Sequence, residues 1–188
     1  MSMSGDVSKV LVTEEEIREI CSRLGKQISE DYKGKKLLLV SVLKGAVVFM
    51  ADLMREITCD CEIDFMAVSS YSGTKTTGVV KFKKDLDVDP DGCDILLVED
   101  ILDSGITLAY LKKVLMDRNA ASIRVCAFLD KPSNRQADIS ADYVGKVIPD
   151  EFVIGYGLDY NEKYRNLPYV GVLDPKCYTR LIGKEHFD

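Results

Sequence analysis

The chain has 188 residues, 46% hydrophobic and 30% charged, which allows one substantial core and is short for two. Its 25 basic and 31 acidic residues give a formal net charge of −6, which opposes nucleic-acid binding as a main role. The single histidine, His186, argues against a zinc hydrolase or a Ser-His-Asp triad, so any chemistry falls to carboxylates, lysines and backbone amides.

The opening Met1-Ser2-Met3-Ser4-Gly5-Asp6 lacks the basic and apolar regions of a secretory signal. No apolar run reaches the roughly 20 residues that cross a bilayer, so the expectation is a cytoplasmic protein without a membrane partner. Thr13 followed by Glu16 has the form of a capping box and predicts a helix to about Tyr32. Ile17, Ile20, Cys21, Leu24 and Ile28 fall on one face of that helix. Leu37 to Val42 reads as a buried strand, Ala46 to Ile57 as a helix, and Glu62 to Ser69 as a second strand.

Residues Ser70 to Asp91 change character, with Gly73, Gly78, three threonines, the run Lys81-Phe82-Lys83-Lys84 and the turn Asp89-Pro90-Asp91-Gly92. They predict a long polar connection with room for a short hairpin, and composition leaves a lid and an ordinary exposed excursion equally open. Asp94 to Val98 then predicts a strand, Thr107 to Asn119 a helix, and Ser122 to Leu129 a strand. Apolar strands alternating with helices indicate an α/β fold with a parallel sheet and helices on both faces. The last third, rich in Tyr, Gly and Pro, is expected to cover that sheet as a small cap. Of six cysteines, Cys21, Cys93 and Cys126 lie in or beside apolar segments and read as buried thiols. Cys59 and Cys61 have no second pair at zinc-finger spacing.

In a parallel sheet, ligands bind at the carboxyl ends of strands. The strand from Asp94 is followed by Glu99 and Asp100, then Asp103-Ser104-Gly105-Ile106-Thr107, then a helix. Gly105 permits a tight turn, the amides of residues 104–107 at a helix start favour a phosphate dianion, and the Ser104 and Thr107 hydroxyls add donors. Two adjacent carboxylates repel unless something neutralises them; ribose hydroxyls and Mg2+ would do so. The pattern is neither a Walker A loop nor G-x-G-x-x-G.

This segment, Ile95 to Thr107, resembles the phosphoribosyl-pyrophosphate motif of type I phosphoribosyltransferases, and its Val-Glu-Asp-Ile-Leu-Asp-Ser-Gly wording is nearest the hypoxanthine-guanine branch. The likeness runs from about Val7 to Tyr178. It implies one domain over residues 1–188, with a mostly parallel sheet flanked by helices, a small hood of terminal segments, and a mobile catalytic loop at about 70–84. It implies Mg2+-dependent transfer of 5-phosphoribosyl from phosphoribosyl pyrophosphate to hypoxanthine and guanine, giving IMP or GMP and pyrophosphate in purine salvage. It also implies a homo-oligomer, dimer or tetramer.

The resemblance extends to individual residues. Asp103 takes or hydrogen-bonds the purine N7 proton, and Asp103, Ser104, Gly105, Ile106 and Thr107 hold the 5′-phosphate. Glu99 and Asp100 hold the ribose, and with Asp159 the metal. Leu43-Lys44-Gly45 is similar to the pyrophosphate loop, with Arg165 on the same group and Arg135 near the loop. Ser70-Tyr71 is similar to the pair that closes over the reacting centre. Lys131 would select a 6-oxopurine, Phe152 would stack on it, Val153 would meet its edge through backbone, and Asp159 belongs to the same base-binding end. A nucleotide-sensing regulator on the same fold would bind RNA instead; the acidic net charge and the complete set of catalytic-type residues oppose that.

Overall fold

The computed structural model describes residues 3–70 and 80–177. After a short 3-10 turn, strand β1 (Val7–Val12) leads into helix α1 (Glu14–Asp31). Its start is the predicted capping box: Glu16 N–H donates to Thr13 Oγ1 at 3.2 Å, and Thr13 N–H donates to Glu16 Oε2 at 2.8 Å. Strand β2 (Leu37–Leu43), helix α2 (Val47–Glu56) and strand β3 (Cys61–Ser70) follow, close to the expected limits. Strand β4 is Val80–Lys84, β5 Asp94–Leu102, and α3 Ile106–Met116. Strand β6 is Ser122–Asp130, β7 Tyr143–Val147, β8 Val153–Ile154, and β9 Val170–Leu173.

The main sheet has six strands in the order β4-β3-β2-β5-β6-β7, parallel except for β4, which runs antiparallel to β3. Helices α1 and α2 pack on one face through Leu24, Ile28, Phe49 and Leu53 against Leu39, Leu96 and Phe128. Helix α3 packs on the other through Leu108, Leu111 and Leu115 against Val40, Leu97 and Val125. Burial of these apolar sets, at about 25 cal/mol per Å2, is what ties each helix to the sheet. A second sheet, β1-β9-β8, is antiparallel and brings the two terminal thirds of the chain together.

Two expectations are corrected. The stretch 80–84 is a strand and not loop: Phe82 packs near the Tyr110 ring at 6.3 Å, and Lys84 Nζ reaches Phe65 O at 3.0 Å and Asp64 Oδ1 at 3.3 Å. A run rich in lysine hides this alternation, because the apolar member of each pair is all that packs. Residues 71–79, the rest of the expected catalytic loop, lie outside the described residues. Strand β5 runs through Glu99 and Asp100 to Leu102, so these acids lie within the strand and not after it. No helix among the described residues is long and apolar enough to cross a membrane.

Candidate active site

The turn at residues 103–107, expected to hold phosphate, is built almost entirely by backbone. Gly105 has φ +77° at the start of α3, and a Cβ there would sit 2.6 Å from Ile139 Cγ2, so only glycine closes this turn without strain. The Ser104 carbonyl accepts from the N–H groups of Gln136 at 2.9 Å and Ala137 at 3.1 Å. Arg135 braces the same turn, donating to Asp103 O at 3.1 Å, Leu102 O at 3.3 Å and Ile139 O at 3.1 Å, and pairing with Asp130. This corrects the expectation that Arg135 belongs with the pyrophosphate loop; every donor recorded for it is directed at the backbone or acid around residues 102–105. A cavity of about 180 Å3 opens over the turn, lined by Val42, Glu99, Leu102, Ser104, Gly105 and Thr107. The first N–H groups of α3 have no intrahelical partners and carry the positive end of its dipole.

Glu99 and Asp100 are successive strand residues and so face opposite sides of β5. Glu99 lines the phosphate cavity, while Asp100 lies against Gly45, where any Cβ would collide with its carboxylate. Gly45 in turn touches Gly157, whose added Cβ would meet the Gly45 carbonyl. These close approaches explain why the loop Leu43-Lys44-Gly45, with its cis Leu43–Lys44 peptide, packs directly on the acid. Burial pushes the Glu99 carboxyl well above its ordinary range, with the Asp100 charge adding to it. Burial also lifts Asp100 to about 6, against the lowering effect of hydrogen bonds from backbone N–H groups and of the Arg165 charge.

Beside this pair, Arg165 donates to Gly157 O at 2.8 Å and pairs with Asp159 Oδ1 at 2.9 Å, and its buried Nε has no hydrogen-bond partner among the described residues. Asp159 Oδ2 accepts the Glu162 N–H at 2.8 Å, and Glu162 pairs with Lys44 at 3.0 Å. The expected metal set of Glu99, Asp100 and Asp159 is therefore not assembled: no group of three acidic, histidine or cysteine side chains among the described residues could hold an ion. The physical reason is that Glu99 and Asp100 diverge across the strand and Asp159 is committed to Arg165. One carboxylate of this pair still fits Mg2+, which commonly takes one or two carboxylates and completes its shell with substrate oxygens and water.

On the base side, Lys131 follows β6 and is 6% exposed. Its Nζ lies 3.0 Å from Asp150 Oδ1 and 3.6 Å from Asp103 Oδ2. Phe152 is 45% exposed and meets Tyr160 edge-on, with centroids 5.5 Å apart and planes at 85°. Val153 pairs with Val172 while Leu173 N–H donates to Phe152 O, so the N–H and C=O of Val153 point to the open edge of β8. Ser70 ends β3 opposite Val80, and Tyr71 lies outside the described residues. Tyr156 and Tyr164 are packing residues, the first donating to Asp52 Oδ2 at 2.8 Å and the second to Asp6 Oδ2 at 2.8 Å. Sequence reasoning missed Asp150, Glu162 and Gly157; only the Gly-Tyr-Gly triplet at 155–157 carried a local signal, and positive φ at all three explains it.

A family model for the phosphoribosyl transferase domain matches residues 10–161, and the chain belongs to that family. Within it, the chain is 51% identical to the hypoxanthine-guanine phosphoribosyltransferase of Staphylococcus aureus strain Mu50, over 94% of this chain and 99% of that protein. A crystal structure of a hypoxanthine phosphoribosyltransferase from Staphylococcus aureus superposes with a TM-score of 0.91 at 51% identity, covering 94% and 96% of the two chains. A hypoxanthine phosphoribosyl transferase of Trypanosoma cruzi superposes with a TM-score of 0.90 at 40% identity, over 94% and 96%. The α/β fold with its mostly parallel sheet is the fold these relatives share.

Proposed function

We propose that this phosphoribosyltransferase transfers 5-phosphoribosyl from phosphoribosyl pyrophosphate to hypoxanthine and guanine, releasing IMP or GMP and pyrophosphate in cytoplasmic purine salvage. The observation that carries this reading is the meeting of Lys131 and Asp103, where a buried ammonium faces the acid of the phosphate turn at 3.6 Å. One gap thus joins a donor for a base to the turn that would hold the sugar phosphate.

The amides of residues 104–107 and the Ser104 and Thr107 hydroxyls bind the 5′-phosphate. Glu99 and Asp100 would accept from the ribose hydroxyls, and a carboxylate of this pair would hold Mg2+. Mg2+ bound there neutralises charge on the leaving group. Arg165, with its free buried Nε, and the Leu43-Lys44-Gly45 peptide face the same pyrophosphate, and Asp159 keeps Arg165 in place. Lys131 donates to a 6-oxo oxygen and cannot accept from the amino group of adenine. Phe152 stacks on the ring, Val153 meets its edge through backbone, and Asp103 takes or hydrogen-bonds the N7 proton as the purine nitrogen attacks C1. Holding base and sugar in line lowers the barrier through proximity. Ser70 and Tyr71 would close over the reacting centre and exclude water. We assign the chain to one catalytic domain whose small sheet β1-β9-β8 is the hood, acting as a dimer or tetramer. The free thiols of Cys21, Cys59, Cys61, Cys93 and Cys126 suit a reducing compartment.

An assay of pyrophosphate release with hypoxanthine, guanine, xanthine and adenine, with and without Mg2+, tests the reading. Turnover with hypoxanthine and guanine, dependent on the metal and absent with adenine, is expected; equal turnover with adenine, or none with any purine, would overturn it.

A further inference from the structure

We infer that Asp150 is a positioning residue for base selection: it fixes the Lys131 ammonium and the segment carrying Phe152 relative to each other, and so sets the purine slot for a 6-oxo group. The inference rests on the function proposed above and assigns a role to a residue outside the phosphate, ribose and pyrophosphate sites.

Asp150 Oδ1 accepts from Lys131 Nζ at 3.0 Å and from Asn134 Nδ2 at 2.7 Å. The side chains differ sharply in surroundings, with Lys131 8% exposed and Asp150 59%. A buried ammonium is costly without a paired carboxylate, so the lysine depends on this partner far more than the partner depends on it. Lys131 and Asn134 lie just past β6 of the main sheet, and Asp150 stands in the link from β7 of that sheet to β8 of the small one, two residues before Phe152. Both residues that Asp150 holds belong to the base side, and none of its recorded side-chain partners belongs to the core. Hydrogen bonds from Lys131 and Asn134 hold its carboxyl below the ordinary range, as an engaged anion requires.

The donor arithmetic gives the chemical consequence. An ammonium has three N–H groups and no acceptor. Asp150 takes one, a second faces Asp103 at 3.6 Å, and the third is left for a ligand. Between two carboxylates, that third N–H is available to a 6-oxo oxygen and cannot accept from a 6-amino group. Without Asp150 the ammonium collapses toward Asp103, which withdraws the donor from the base and occupies the acid as well.

The test is steady-state kinetics of Asp150→Asn, Asp150→Glu and the Lys131→Ala single and double variants, with hypoxanthine, adenine and phosphoribosyl pyrophosphate varied separately. Asp150→Asn is expected to raise KM for hypoxanthine about tenfold, while KM for phosphoribosyl pyrophosphate stays close to wild type. Asp150→Glu should recover most of that loss. In a Lys131→Ala background, Asp150→Asn should have no further effect, because it acts through the lysine. An unchanged KM for hypoxanthine, an equal rise in both KM values, or full additivity with Lys131→Ala would overturn the inference. Wild-type enzyme that turns over no 6-oxopurine would instead sink the proposed function, and the inference with it.

Discussion

The phosphate turn and the purine slot meet at Asp103 yet are held by opposite means. Residues 102–107 are contiguous, and their shape is set by main chain: a glycine at positive φ, a carbonyl that accepts two N–H groups, and a guanidinium that binds three carbonyls. The purine slot draws Lys131, Asp150 and Phe152 from separate segments, and side-chain charge and ring contacts hold it. On the proposed function, the backbone site would serve a ligand part that never varies, the phosphate, and the side-chain site could be retuned for different bases. The acids between them are a third kind of construction, since burial destabilises their charge until a ligand arrives.

The largest effect is expected where that stored cost lies. Asp100→Asn should lower kcat/KM for phosphoribosyl pyrophosphate by about 10²–10³-fold, through loss of a charged acceptor. It should also stabilise the ligand-free protein at pH 7.5, by about 1–3 kcal/mol. The sign follows from the raised carboxyl at about 6: the folded state binds its proton more tightly than the unfolded state, so stability declines as pH rises from about 4 to about 6 and then levels off. Ligand-free melting temperature and kcat/KM should therefore move in opposite directions across that range, with activity falling as the pH drops below 6. A melting temperature that falls on mutation would break the comparison.

Lys131→Ala comes next, and probes the side-chain site alone. It should lower kcat/KM for hypoxanthine by about 10²-fold and remove the exclusion of adenine, with KM for phosphoribosyl pyrophosphate little changed. Persistent exclusion of adenine would move base selection elsewhere in the slot. Gly105→Ala probes the backbone site. Positive φ and the approach to Ile139 predict destabilisation of about 1–2 kcal/mol by chemical denaturation, and a rise of about tenfold in KM for phosphoribosyl pyrophosphate. The hypoxanthine KM should not follow it.

The same contrast explains what was legible in the sequence. Residues 94–107 read correctly as strand, acids, turn and helix, because each piece acts on its neighbours within a few positions. The capping box at Thr13 was legible for the same reason. The error within this stretch was to end β5 at Val98, because charged residues inside a strand look like its terminus. Strands β1, β7, β8 and β9 are not foreseen; they are short, and two of them, β1 and β9, pair residues more than 140 positions apart, while β8 forms only by pairing with β9. Asp150 was invisible for a related reason: in Pro-Asp-Glu it reads as a turn acid, and only the fold brings it to Lys131.

The smallest predicted effect sharpens the comparison most. Phe152 meets Tyr160 edge-on and is 45% exposed, so its replacement by another apolar side chain should barely change stability. Phe152→Leu keeps an apolar side chain and loses the π face, which is worth about 0.5–1.5 kcal/mol in an aromatic pair. That energy corresponds to a rise of about three- to tenfold in KM for hypoxanthine, with KM for phosphoribosyl pyrophosphate and the melting temperature unchanged. A graded response of this kind is available only to a side-chain site: replacing Phe152 weakens one contact and leaves Lys131 and Asp150 in place. The phosphate turn has no equivalent, because a Cβ at Gly105 disturbs the contacts to Ile139 and Arg135 together. If Phe152→Leu also raised KM for phosphoribosyl pyrophosphate, the two sites would be mechanically coupled through Asp103, and base identity would influence how tightly the sugar phosphate is held.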